Sequence, residues 1–160
     1  MSELTCARTG CTTVDYRLIP TTGEDQDWLE QLRRHTTREL VIATWGCWDE
    51  ARHLRHCAEC WERGGISVIE VNGERAGMIQ LLEHADEIEV GEIQIQPAYQ
   101  GRGIGTWVLS DTISRAHARG KKVSLATGLK NRRAFELYER LGFRLVAQSD
   151  THYHMECEPG

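Results

Sequence analysis

No run of 18 apolar residues occurs anywhere in the chain, which excludes a membrane-spanning helix of ordinary length. The opening stretch, MSELTCARTGCTTVDYRL, has no apolar core behind a basic start, so no secretory leader is expected and the expected compartment is the cytoplasm. Basic residues are in the minority, 19 Lys and Arg against 24 Asp and Glu for a net charge of −5, whereas nucleic-acid binding needs a basic face. Neither nucleic acid nor a membrane is therefore an expected partner. An acidic chain would instead attract cationic ligands, although a global charge says little about one pocket. Internal repeats, linkers and low-complexity tracts are absent too. The 160 residues suffice for one domain with its own core. A loose tail over 1–13 and a single domain over 14–158 are the expected division.

Six cysteines are present, and three of them, Cys47, Cys57 and Cys60, cluster with His53 and His56 in CWDEARHLRHCAEC. A zinc site is one reading of that cluster. A second CxxC pair at ribbon spacing is missing, however, and the histidines precede the cysteines at the wrong intervals for a finger. The intervening Ala, Arg, Leu and Glu are good helix formers, so a helix carrying reduced thiols is the plainer account and no metal is expected.

The periodicity of apolar residues changes along the chain. YRLIP (16–20) alternates as a strand and stops at Pro20. Trp28, Leu29, Leu32 and Thr36 share one helical face behind an acidic first turn, and VIATWGCW then reads as a bend at Gly46. Ala51, Leu54, Ala58 and Trp61 mark a second helix ending at Gly64-Gly65. ISVIEV and RAGMIQLLEH are strands joined by a tight Asn72-Gly73 turn, and EIEVGEIQIQP is a third strand halted at Pro97. A long helix from Ile104 to near Gly120, the strand KVSLAT, the helix in NRRAFELYERLGF and two late strands complete the order. The expected class is mixed α/β, a mostly antiparallel sheet of six to seven strands flanked by about four helices.

IQPAYQGRGIGTWVL, residues 95–109, places three glycines between a strand and a helix, where converging N–H groups and the helix dipole suit an anion. A P-loop is excluded, because Thr106 stands where the second glycine belongs and no lysine is beside it. A dinucleotide fingerprint fails at the same threonine and lacks the acidic residue that should close the next strand. What remains is Gln-x-x-Gly-x-Gly, met by Gln100, Gly103 and Gly105 after Ile95-Gln96-Pro97. This loop resembles the pyrophosphate-binding motif of the GCN5-related N-acetyltransferases, and NRRAFELYERLGF resembles that family's second motif. The likeness covers residues 66–148 strongly and agrees in element order.

The resemblance implies acetyl-CoA as cosubstrate and a GNAT-like fold. It implies a cofactor site at Gln100, Gly101, Arg102, Gly103, Ile104, Gly105 and Thr106, with backbone groups of Ile93 and Ile95 and with Asn131 and Ala134 on the cofactor arm. Tyr138 takes the position of the residue that protonates the leaving thiolate; as a residue, it sits on an apolar helical stripe and its hydroxyl needs a partner. Glu92 and Glu89 are candidate bases, with an ordered water as the alternative; Ala126 stands where some members carry a glutamate. For the acceptor, Trp45, Trp48, Asp49 and Glu50 suggest an aromatic wall with carboxylates for a cationic amine, and His152, Tyr153 and His154 are further candidates. The implied activity is direct acetyl transfer to a small-molecule or peptide amine, with no acetyl-cysteine, because neither motif contains cysteine. The alternatives are a protein N-terminal or lysine acetyltransferase and a CoA-binding sensor without turnover. A homodimer is possible on either view.

Overall fold

The structure, a computed structural model, describes residues 16–160. The expected tail over 1–13, with Cys6 and Cys11, lies outside the described residues. Strand β1 (Tyr16–Pro20) precedes helices α1 (Gln26–Trp45) and α2 (Glu50–Arg63), then β2 (Ile66–Val71), β3 (Glu74–Glu83) and β4 (Glu87–Ile95). Helix α3 (Ile104–Ala118), β5 (Lys122–Gly128), α4 (Arg132–Arg140), β6 (Arg144–Gln148) and β7 (His152–Cys157) follow. The strands form one seven-stranded sheet in the order β1-β2-β3-β4-β5-β7-β6. Every neighbouring pair is antiparallel except β4 and β5, which helix α3 connects as a parallel crossover. None of the described helices is long and apolar enough to cross a membrane.

The bend expected at Gly46 is present, and helix α1 fills VIATW up to it: it ends at Trp45, where Gly46 at φ 86° closes it with its N–H on the Ile42 carbonyl. Leu40, Val41 and Ile42 break the apolar stripe, yet β-branched residues cost a helix only tenths of a kcal/mol each, about 0.5 at most, and nothing stops the backbone before the glycine. The Asn72-Gly73 turn is as expected, with φ of 52° and 82°.

The main core lies between the sheet and α3 and α4, built on Ile69, Ile79, Val108, Leu109, Val123 and Met155. A smaller cluster of Leu32, Ile66 and Met78, with Trp28 and Trp61, seals α1 and α2 onto the other face. Strand β4 carries a bulge between those layers: Gln80 pairs with Glu92 and Leu81 with Val90, leaving Gly91 extra. A side chain at Gly91 would strike the Gln80 amide, itself locked to the carbonyls of Cys60 and Gly64 at 2.8 Å each. The bulge reverses the alternation. Ile88 and Val90 face the main core before it, and Ile93 and Ile95 face the same core after it.

Strands β4 and β5 pair over only four residues, from Glu87 with Lys122 to Val90 with Leu125. Beyond that point β4 stays on β3 and β5 stays on β7, so the sheet splits into a V. At the mouth of the V, Gly77 allows β3 to approach β4 closely; a Cβ there would overlap the Gln94 carbonyl. Gly77→Ala should therefore cost about 3 kcal/mol of stability and lower the melting midpoint by roughly 6–12 °C. An unchanged midpoint in calorimetry would show that the two strands separate freely there.

Candidate active site

The glycine loop is built by three local constraints. Pro97–Tyr99 forms one 3-10 turn after β4, and the Gln100 side-chain amide donates back to the Ile95 carbonyl at 2.9 Å. Gly101 and Gly103 then adopt left-handed φ of 76° and 79°, which side-chain-bearing residues rarely take. Gly103 caps α3, so the N–H groups of Ile104, Gly105 and Thr106 have no partner inside the helix. These groups, with Gln100 and Gly101, line a cavity of about 470 Å³ whose opposite wall is Asn131, Ala134, Leu137 and Tyr138. Arg102 is not on that wall; its guanidinium lies over the Tyr99 ring at 5.3 Å. Two other cations, Arg133 and Arg140, line the cavity instead.

The open edge of β4 forms the floor. The Gln96 N–H bonds to Ala76 of β3 at 2.7 Å, so alternation turns the backbone groups of Ile93 and Ile95 toward the side that β5 has vacated. Asn131 caps α4 by accepting the Ala134 N–H at 3.2 Å and also lines the cleft.

A second cavity of about 460 Å³ continues from the first, sharing Ile93, Gln94, Asn131 and Tyr138 with it. Tyr138 is thus at the junction. Its ring is 7% exposed and meets Phe143 edge-on at 5.8 Å, and its hydroxyl makes no hydrogen bond among the described residues. Burial, and then the negative charge of Glu92, push this phenol up to about 12, so it holds its proton at neutral pH.

Glu92 lies in the same cavity. Its carboxylate meets His56 Nε2 at 2.5 Å and accepts from the Gln94 amide at 3.0 Å. Burial works to raise this carboxyl, but the His56 hydrogen bond and charge, helped by Gln94 and Arg33, outweigh it and hold the group below its ordinary value. His56 is the site residue that the sequence reading missed. It was grouped with the cysteines of its own helix, and only packing of α2 against β4 brings it to a partner 36 positions away. Glu89 goes elsewhere: Arg63 grips it through two hydrogen bonds of 2.9 and 3.1 Å, and His84 adds a third at 3.0 Å, outside both cavities.

The expected aromatic wall with free carboxylates is not assembled. Trp45 does line the second cavity, but its ring carries the Arg52 guanidinium at 4.5 Å. The Trp48 indole donates to Glu50 at 3.0 Å and leans on His53. Glu50 is gripped by Arg34, whose hydrogen bonds draw its carboxyl down to about 2, and Asp49 caps α2 through the Arg52 N–H. Both acids are consumed locally. Of the late strand, His152 lines the cavity, whereas the Tyr153 ring packs on Phe135 at 4.8 Å and His154 is exposed.

Behind Glu92, a smaller cavity of about 130 Å³ separates α1 and α2 from the sheet and touches Cys57 and Cys60. Cys60 donates to Gln80 at 3.1 Å, and Cys57 rests on His53 at 3.8 Å. Burial pushes the two thiols up to about 11 and about 12, so neither is a thiolate at neutral pH. Among the described residues, no group of three or more His, Cys, Asp and Glu is placed to hold a metal ion. Both thiols and Tyr138 bind their protons more tightly in the folded state. That stabilisation is complete below the unfolded values of 9.0 and 10.0 and is lost as pH rises through the folded ones. The melting midpoint should therefore fall progressively above about pH 9, and less steeply in Cys60→Ala; a flat alkaline profile would contradict the burial of these groups.

The family model described as Acetyltransferase (GNAT) family matches residues 29–143. An N-acetyltransferase of Methanocaldococcus jannaschii is 37% identical over 90 residues, covering 51% of this chain and 40% of that protein. The N-alpha-acetyltransferase RimI of Mycobacterium tuberculosis is 39% identical over 69 residues, 43% of this chain and 42% of its own. The matches thus span less than half the length of these curated relatives. The crystal structure of the PaiA N-acetyltransferase of Thermoplasma acidophilum, in complex with coenzyme A, superposes with a TM-score of 0.68 over 92% of this chain and 99% of that one. At 18% identity, that likeness speaks for the fold.

Proposed function

This chain belongs to the acetyltransferase (GNAT) family, and from that premise we propose that it transfers an acetyl group from acetyl-CoA directly to an amine, with both substrates held at once in the split of the sheet. The observation that carries the reading is the junction itself. Where β4 and β5 part beyond Val90 and Leu125, two cavities meet; Tyr138 stands at their meeting, and Glu92 lines the second cavity beside it.

The loop half fits the donor. Unpartnered N–H groups of the first turn of α3, left-handed Gly101 and Gly103, and the cations Arg133 and Arg140 match a pyrophosphate. The free edge of β4 at Ile93 and Ile95 is suited to pair with an extended amide-containing arm, as a strand would. Acetyl-CoA supplies an activated thioester carbonyl. The Ile95 N–H polarises its oxygen, and Tyr138 donates a hydrogen bond to the sulfur as charge develops there. Glu92 receives the proton of the attacking amine, directly or through one water, and His56 holds that carboxylate in place. Glu89, tied to Arg63, has no part in this route.

Release of free thiol from acetyl-CoA, measured against a panel of small amines and peptides, tests the proposal. Thiol release that depends on the amine supports it. Tight acetyl-CoA binding with no release from any amine would turn the reading to a CoA sensor, and absence of acetyl-CoA binding would overturn both.

A further inference from the structure

The charges of the acceptor half run opposite to those of the whole chain. Despite the net charge of −5, its charged lining is Arg33 from α1, Arg52 from α2 and Lys130 from the turn before α4, against the single carboxylate of Glu92. Several cations elsewhere are paired off: Arg34 with Glu50, Arg63 with Glu89, Arg75 with Asp25, Arg119 with Glu83 and Lys122 with Glu156. Among the described residues, no carboxylate lies within ion-pair distance of Arg33, Arg52 or Lys130. The charge of Glu92 is itself engaged by His56 at 2.5 Å.

Arg33 is the sharpest case. One terminal nitrogen bonds His53 Nδ1 at 2.8 Å, which orients the guanidinium. Its Nε is buried with no hydrogen-bond partner, an arrangement that native proteins rarely leave uncompensated. Arg33 also acts electrostatically on Glu92, so the cation stands close to the group that takes the amine's proton. Arg52 is held in its own place by the Trp45 ring at 4.5 Å.

We infer that the acceptor is an amine bearing its own anionic group, a carboxylate or phosphate a few bonds from the nitrogen, as in an amino acid. Arg33 takes that anion while the amine faces Glu92, with Arg52 and Lys130 drawing the acceptor in from the rim. A guanidinium is suited to this because its planar fork matches the paired oxygens of such anions. The inference rests on the acetyl-transfer reading above and narrows it: a polyamine would be repelled, and a peptide N-terminus would leave Arg33 without an anion.

The test compares kcat/KM, per free amine, for matched pairs: glycine and glycinamide, glutamate and its diamide, O-phosphoethanolamine and ethanolamine, with spermidine and a tripeptide amide alongside. The anionic member of a pair should be favoured about 10- to 100-fold, the range of a charge-assisted hydrogen bond. The carboxylate and phosphate arms show which anion is taken. Arg33→Gln should collapse that preference to near unity, and so in part should Arg52→Gln, whose rim position keeps the test valid if Arg33→Gln misfolds. Arg38→Gln, outside the cavity against Trp48, should leave the preference intact. Equal or better turnover of glycinamide, spermidine or the tripeptide amide overturns the inference while sparing the acetyl-transfer reading. Where no amine is turned over, calorimetric titration of glycine, glutamate and O-phosphoethanolamine into the CoA-saturated protein decides. Binding lost in Arg33→Gln keeps the anion site and sinks acetyl transfer; no binding overturns the site.

Discussion

Tyr138→Phe should lower turnover by about 10²- to 10³-fold and leave the affinity for acetyl-CoA within about twofold. The hydroxyl makes no hydrogen bond among the described residues, so its removal strands no partner and the ring stays packed on Phe143. Stability should accordingly change little. The expected contribution lies in the transition state alone, and that is the pattern of an equal loss in kcat and kcat/KM. At about 12 the phenol is too weak an acid to surrender its proton before the reaction begins. Part of that elevation comes from the charge of Glu92, however. As Glu92 takes the amine's proton, its negative charge vanishes and Tyr138 becomes a stronger donor just when the sulfur needs one. Turnover unchanged in Tyr138→Phe would remove this residue from the chemistry.

Glu92→Gln should cost about 10²-fold at neutral pH, because an amide accepts a hydrogen bond but not a proton. The pH dependence separates this role from a structural one. The wild-type carboxyl is held below its ordinary value, so it stays ionised through the neutral and weakly acidic range and does not itself set the acid limb. That limb follows the acceptor amine, which must lose a proton. In Glu92→Gln the deficit should narrow above the amine's own pKa, where the amine arrives as the free base and only the one proton freed on C–N bond formation remains to pass to water or to the departing thiolate. A deficit constant from pH 6 to about 10 would point to a packing role instead. His56→Gln should lose less, about tenfold, since it disturbs the placement of Glu92 and not its capacity to take a proton.

Much of the donor half was readable because it is local. Gly101 and Gly103 announce left-handed backbone, Gln100 ties back over five residues, and Tyr138 lies on a helix with a clear stripe. Periodicity of two or of 3.6 and a positive φ are properties of neighbouring residues, so they survive in the sequence. The acceptor half was not readable for the opposite reason. Strict alternation would set Glu89 and Glu92 on opposite faces of β4, yet the bulge at Gly91 returns both to the same face, and only the partners across space separate their fates.

The acids and aromatics of ATWGCWDE illustrate the same limit. Glu50 is a free carboxylate in the sequence and a neutralised one in the fold, because Arg34 of α1 reaches it at the start of α2. Composition counted five more acids than bases, but solvation and pairing act on individual charges, and the acids were spent on cations far from the cleft.

The sequence by itself determined the element order, the glycine loop that bares the backbone N–H groups opening α3 and the helix that carries Tyr138, since each rests on backbone preferences acting over a few residues. The tertiary structure alone decided where the sheet opens, that His56 meets Glu92, and which cations line the second cavity without a carboxylate partner. Those outcomes depend on partners far apart in the chain, 36 positions for His56 and Glu92, and no local preference encodes them.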